Sequence, residues 1–429
     1  MTSGFKAGFA ATAVTPPVGT PLSGYPDIRT DLPWTPAGIR GYVGRRQQVS
    51  EGVHDPLLAT AVAVEADGVA AVLVGIDTLV VTREFTSLLR EALARRSVPP
   101  ENVLVGASHT HSGPDLFAWW EGDSSAAPWP ATLAGAAAAA ERALDRLEPA
   151  ALSFGEQTLD HVSINRRDEA RGPIDPRVPV LKATSEATGE VLALVVGFAC
   201  HPVTLDYSNF LFSADWVGEM RAALAAVYPG AGVVYLNGAA GNINPARFPY
   251  ETRQNIYIPQ TAENYPVYWG GFADTARLGR TVAGAAVEAA ERALPVSAAA
   301  PSGRLGAARL PVKAEEPMSE YLDFMHFVDA AYREALLAGG ELESEVQALE
   351  LGGVRIAGMP GEVFVEIGLD VRDAAGPAPL LLAGYANDDV RYVMTDDAYD
   401  GDKYETVGTP LAAGSADALA GAVRAVLSP

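Results

Sequence analysis

Apolar runs of seven to nine residues recur along this chain, and each stops at Gly or a polar residue. They are "AAVLVGID" (70–77), "NVLVGAS" (102–108), "LALVVGFAC" (192–200), "GVVYLNG" (232–238) and "GVRIAGM" (353–359). Runs this short and this rich in Val, Leu and Ile predict strands covered on both faces. Between them the apolar spacing changes to that of helices. "TREFTSLLREALARRS" (82–97) opens on a Thr suited to cap it, and 130–147 and 273–294 are long and Ala-rich. Residues 415–427 supply a last helix. Alternating strands and helices predict an α/β layered fold with a largely buried mixed sheet flanked by helices.

Two stretches lack periodicity and read as loops: 15–50 and the aromatic segment 242–271. Loops this long inside a compact unit are usually functional. Residues 309–351 are charged and read as helical, either as an insertion or as a small subdomain. No linker or repeat divides the chain, so residues 1–429 are expected to form a single catalytic domain.

Composition then narrows the function. The 429 residues are 48% hydrophobic and 20% charged, enough for a large core. The net charge of −22 argues against a nucleic-acid partner, which would require a basic face. The single cysteine, Cys200, excludes an intrachain disulfide and a cysteine-based zinc site. The N-terminus does not have the pattern of a signal peptide, and no run approaches the ~18 apolar residues of a membrane span. A cytoplasmic location is expected, with the oligomeric state left open.

The chemistry gathers where strands end, which is where ligands bind in open α/β sheets. His109 and His111 follow the 102–108 run, and His201 follows 192–200. The Gly-rich turn 239–245 follows 232–238, and Glu362 follows 353–359. Two imidazoles and a carboxylate suffice for a catalytic zinc with one open position. Each piece also has an ordinary reading. His109 and His111 can belong to a polar loop, His201 to the core, and Glu362 to a helix's first turn. His54, His161 and His326 receive no functional role.

In these same places the sequence resembles the catalytic domain of the neutral/alkaline ceramidase family. The resemblance is carried in order by "GFAATAVTPPVGTPLSGY", "HDPLLATAVAVEADG", "SHTHSGPD", "INRR" (164–167), "ACHPVTL" with "SADWVGE", "PGE" and "RYVMTDDAYDGDKYE". It implies a Zn2+ ion held by His109, His201, Glu362 and Tyr392. It also implies that His111, Arg166 and Tyr404 handle protons and substrate, with Arg166 and Tyr404 polarising the scissile carbonyl.

Two departures matter. The family's turn carries a serine taken as the nucleophile, whereas this chain has Asn244 there. An amide cannot attack a carbonyl, so hydrolysis is expected to use metal-activated water, with Asn244 orienting substrate or stabilising an oxyanion. The family's C-terminal β-sandwich and signal peptide are also expected to be absent, which favours a small soluble acyl-amide substrate over membrane ceramide. The aromatic segments 117–123 and 248–272 are expected to wall its pocket. The alternatives are an ester or lactone hydrolase, an acyl-transfer or cyclising enzyme, and a binding protein that has lost catalysis.

Overall fold

The computed structural model describes residues 4–26, 47–116, 128–206, 208–246, 271–313, 330–400 and 404–428. Every apolar run above forms a strand: Val69–Ile76, Val103–Ala107, Val191–Phe198, Gly232–Asn237 and Val354–Gly358. Along each strand, side chains alternate between two apolar layers. Val72, Val74 and Ile76 face helices, while Ala71 and Leu73 face a second sheet. This is period-two geometry with both faces covered.

There are two main sheets. The larger has nine strands, running in the order Gly232–Asn237, Val191–Phe198, Arg177–Ser185, Glu148–Thr158, Phe5–Ala13, Leu58–Ala66, Val69–Ile76, Val103–Ala107. Leu294–Pro295 joins it beside Glu148–Thr158. The smaller has four strands, Ser302–Pro311, Glu341–Leu351, Val354–Gly358 and Leu380–Ala383. The sheets pack face to face through Val62, Leu73, Val195 and Leu236 on one side and Leu349, Ile356 and Leu381 on the other. Among the described residues, helices cover the outer faces. Arg83–Ala94, Trp129–Asp145, Trp216–Val227 and Phe272–Glu291 lie on the large sheet. Val365–Ala375 and Ser415–Leu427 lie on the small one.

The helices begin within a residue or two of the sequence reading. Thr82 caps the first by accepting from the Phe85 N–H at 3.3 Å, as its hydroxyl allows. In the Ala-rich helix Trp129–Asp145, buried Ala136, Ala139, Ala140 and Ala143 form a stripe at helical spacing against the sheet.

The helical reading of 309–351 is corrected in part. Among the described residues, Ala330–Ala338 is helical and Glu341–Leu351 is a strand of the small sheet, while residues 314–329 lie outside them. In "ELESEVQALEL", Glu341 and Glu343 are exposed while Leu342, Ser344 and Val346 are buried. Good helix formers are overridden there by cross-strand pairing with Ser302–Pro311. The loop reading of 15–50 is corrected in part, since Pro21–Pro26 and Gln47–Val49 pair as short strands, while residues 27–46 lie outside the described residues. Within 242–271, Ile243–Pro245 pairs with Ser163–Asn165, and residues 247–270 lie outside the described residues. So do residues 117–127, which hold all of the other aromatic segment, 117–123.

The large sheet coils so that its two ends meet. Gly75 makes this approach possible, because a Cβ there would sit 2.9 Å from the Tyr235 carbonyl oxygen. The carboxyl ends of Val103–Ala107, Val191–Phe198 and Gly232–Asn237 thereby converge with the loop that follows Val354–Gly358.

Candidate metal and catalytic site

His109 leaves the end of Val103–Ala107 with φ +69°, a conformation sparsely populated by L residues and seen mostly where the surroundings enforce it. Its own N–H donates to Thr78 O at 2.9 Å, and its Nδ1 donates to Leu79 O at 2.7 Å. A carbonyl only accepts, so Nδ1 carries the proton and the Nε2 lone pair points away. His201 follows the same rule. Its N–H donates to Ile243 O at 2.9 Å, and its Nδ1 lies 2.7 Å from Ala240 O.

Both free Nε2 atoms point at one carboxylate oxygen. Glu362 Oε2 lies 3.3 Å from His109 Nε2 and 3.3 Å from His201 Nε2. Glu362 is not in a helix's first turn, because Val365–Ala375 starts beyond it. It stands instead in a short strand whose partner across the ladder is Tyr392. The paired backbone places Tyr392 beside the cluster. His111 is half-buried, with its ring 5.1 Å from that of His109 and 5.8 Å from that of His201. Ligand atoms of His109, His111 and His201 all lie within 4.8 Å of one another.

Burial alone would raise the Glu362 carboxyl, but the imidazoles of His109 and His201 outweigh it and hold Glu362 well below its ordinary range. Burial pushes His201 down to about 4. Burial, then the charges of His109 and His201, push His111 well below an ordinary imidazole. The site therefore holds an anionic Glu362 carboxylate beside the neutral imidazoles of His111 and His201.

The Gly-rich turn joins these parts. Gly241 N–H donates to Val363 O at 2.8 Å, Asn242 O accepts from Arg166 N–H at 2.9 Å, and Asn242 Oδ1 accepts from Val365 N–H at 2.9 Å. A Cβ at Gly241 would fall 2.4 Å from Glu362 O, so only glycine fits there. Arg166 reaches the turn with its guanidinium. Nη2 donates to Gly241 O at 2.8 Å, Nη1 lies 3.4 Å from Asn244 Oδ1, and the group sits 5.5 Å from the centre of the Tyr392 ring. Burial lowers its affinity for the proton, but Tyr392, Glu405 and Glu362 more than reverse this, so Arg166 stays charged.

The structure thus brings together His109, His111, His201, Glu362, Tyr392, Arg166 and Asn244. Tyr404 opens the short helix Tyr404–Val407, and its side chain lies outside the described residues. The sequence reading missed three neighbours. Asn237 is fully buried and ties Ser108 O to the Cys200 N–H. Tyr385 packs its ring 4.2 Å from that of His109. Glu405 is fully buried and accepts from Arg166 Nε at 2.8 Å. Asn237 ends a strand, a signal that was available. Glu405 gave no such signal, because its partner is 239 residues away.

The residues fit a metal ion. His109 Nε2, His201 Nε2, Glu362 Oε2 and both ring nitrogens of His111 are buried without a hydrogen-bond partner. So many orphaned donors and acceptors converging on one point would be costly unless a ligand satisfied them. Imidazole nitrogen with carboxylate oxygen is a set zinc accepts, and carbonyl-anchored Nδ1 atoms are the outer partners that metal-binding histidines use.

Known proteins share the fold that carries this site. The family model "Neutral/alkaline non-lysosomal ceramidase, N-terminal" matches residues 31–226. The neutral ceramidase of Pseudomonas aeruginosa is 24% identical over 448 residues, covering 86% of this chain and 66% of its own length. The chain thus spans about two thirds of that relative. The crystal structure of neutral ceramidase from Pseudomonas aeruginosa superposes with a TM-score of 0.73 at 20% identity, over 99% of this chain and 73% of that one. A ceramidase complexed with C2 gives 0.72 at 19%, over 99% and 74%.

Proposed function

From a chain that resembles the neutral/alkaline ceramidases in sequence and shares their fold, we propose a zinc-dependent hydrolase cleaving a linear amide C–N bond in a soluble acyl-amide substrate. The observation that carries this reading is the convergence of His109 Nε2, His201 Nε2 and Glu362 Oε2, with both Nδ1 atoms tied to backbone carbonyls. His109, His201, Glu362 and Tyr392 would hold the metal. When bound, zinc supplies Lewis-acid polarisation of a carbonyl and a water that is nucleophilic near neutral pH.

The protein's own groups supply the rest. His111 has neither the carbonyl anchor of its neighbours nor the Glu362 contact, which favours proton handling over ligation. Neutral at working pH, its free ring nitrogen accepts a proton from the attacking water and returns it to the leaving amine. Arg166, charged and fixed against the turn, donates to the substrate carbonyl oxygen as negative charge develops there. Asn244 adds its Nδ2–H donors, since its Oδ1 faces Arg166. An amide in this position orients substrate but forms no acyl intermediate, which favours direct hydrolysis.

No helix among the described residues is long and apolar enough to cross a membrane. Metal analysis of the purified protein, with matched amide and ester probes, tests the reading. About one equivalent of zinc is expected, falling below about a tenth in His109→Ala and His201→Ala. A metal-free wild type, or zinc content indifferent to both variants, would remove the central claim. Faster turnover of the ester than the amide would move the assignment to ester hydrolysis.

A further inference from the structure

We propose that Glu405 is a positioning residue that aims Arg166 into the site; this rests on the hydrolase reading above. The Glu405 carboxylate is fully buried and divides its two oxygens between two arginines. Oε1 accepts from Arg166 Nε at 2.8 Å, and Oε2 accepts from Arg167 Nη1 at 2.9 Å.

The planar guanidinium of Arg166 is thereby fixed on three sides. Glu405 takes Nε, Gly241 O takes Nη2 at 2.8 Å, and Asn244 Oδ1 faces Nη1 at 3.4 Å. Its flat face lies toward the Tyr392 ring. A fork held at three corners cannot rotate, which is the geometric advantage of arginine over lysine. Arg167 meets only the other carboxylate oxygen, on the side away from Arg166. It donates Nη2 to Ala398 O at 3.1 Å and lies 5.4 Å from the centre of the Phe364 ring, two residues past Glu362.

Stability alone gives little reason for this arrangement, because buried ion pairs seldom outperform apolar side chains of the same volume. Orientation gives a better one. The carboxylate that holds Arg166 is carried by the short helix Tyr404–Val407, so the placement of that backbone element sets where Arg166 is held. A one-ångström error in a group that meets the transition state can cost about two orders of magnitude in rate.

The test compares Glu405→Gln, Glu405→Asp, Arg167→Met and Arg166→Met/Glu405→Gln in the zinc-loaded full chain, with a fluorogenic N-acyl amide as probe. Glu405→Asp keeps the charge and draws the carboxylate back, so it remains informative if Glu405→Gln fails to fold. Both Glu405 variants are expected to lower kcat about tenfold or more with KM changed less than about threefold. Glu405→Gln should cost nothing further on the Arg166→Met background, and Arg167→Met should keep kcat within about threefold.

A second readout does not need turnover. The Arg166 Nε–H proton, assigned by its loss in Arg166→Lys, should give a slowly exchanging NMR signal in the wild type and in Arg167→Met. It should exchange rapidly in Glu405→Asp. Persistence of that signal in Glu405→Asp, or full additivity with Arg166→Met, would overturn the proposal. A wild type that cleaves no probe would count against the hydrolase reading, while the Nε–H signal would still decide the role of Glu405.

Discussion

Asn237 donates from Nδ2 to the Ser108 carbonyl at 3.2 Å, joining the last residue of one edge strand to the residue before His109, 129 positions away. Its Oδ1 accepts from the N–H of Cys200, the residue before His201. One buried amide therefore sets the spacing between two histidines carried by different strands. Asn237→Ala leaves a buried carbonyl and a buried N–H unpaired, at a cost of about 1–3 kcal/mol. Denaturant unfolding should show a lower midpoint at unchanged slope, and zinc affinity should fall with it. A variant as stable as the wild type would show that water replaces the amide.

Gly241 faces Glu362 across a gap that admits no side chain. Gly241→Ala must displace either the turn or the Glu362 backbone, a strain on the order of 2 kcal/mol. Because the same turn supplies Ala240 O and Ile243 O to His201, both stability and zinc retention should drop together. Unchanged zinc content would indicate that the turn moves without carrying the ligands.

The zinc-free protein should lose stability in mild acid. Burial holds His201 down to about 4 in the fold, against an unfolded value near 6.5. Between those values the unfolded chain binds the extra proton, so stability rises with pH across this window and falls as pH drops from 6.5 toward 4. The loss attributable to His201 is roughly 3 kcal/mol by pH 4. His111, also depressed by burial, adds to it in the same direction. Chemical denaturation of the zinc-free wild type and His201→Asn across this range checks it. Parallel pH profiles would contradict the buried-neutral assignment.

Asn244 presents its Oδ1 to Arg166 Nη1 at 3.4 Å, which leaves its Nδ2–H donors for substrate. If its Nδ2–H steadies the developing oxyanion, Asn244→Ala should lower kcat on the amide probe about 10²-fold with zinc content unchanged. Asn244→Ser should not rescue it. Cleavage of a short-chain ceramide that appears only in Asn244→Ser would favour a protein that has lost catalysis.

Much of the fold was legible because strand signals are local. Val69–Ile76 and Gly232–Asn237 announce themselves by continuous apolar runs, and Arg83–Ala94 by its spacing and its Thr82 cap. Glu341–Leu351 was not legible, since its Glu and Leu content favours a helix until a neighbouring strand pairs with it. Nor was the second sheet, because a strand buried under helices and one buried under another sheet have the same pattern.

For the site, the sequence by itself determined which side chains stand at strand ends: His109, His201, the turn at Gly241 and Glu362. Residue type and adjacency are enough for that. Only the tertiary structure decided that these ends meet, because the coiling of the large sheet brings together strands far apart in the chain. It alone fixed the Nδ1 tautomers through Leu79 and Ala240, and it alone set Glu405 against Arg166. Those are directional contacts between residues dozens to hundreds of positions apart, and no local pattern encodes them.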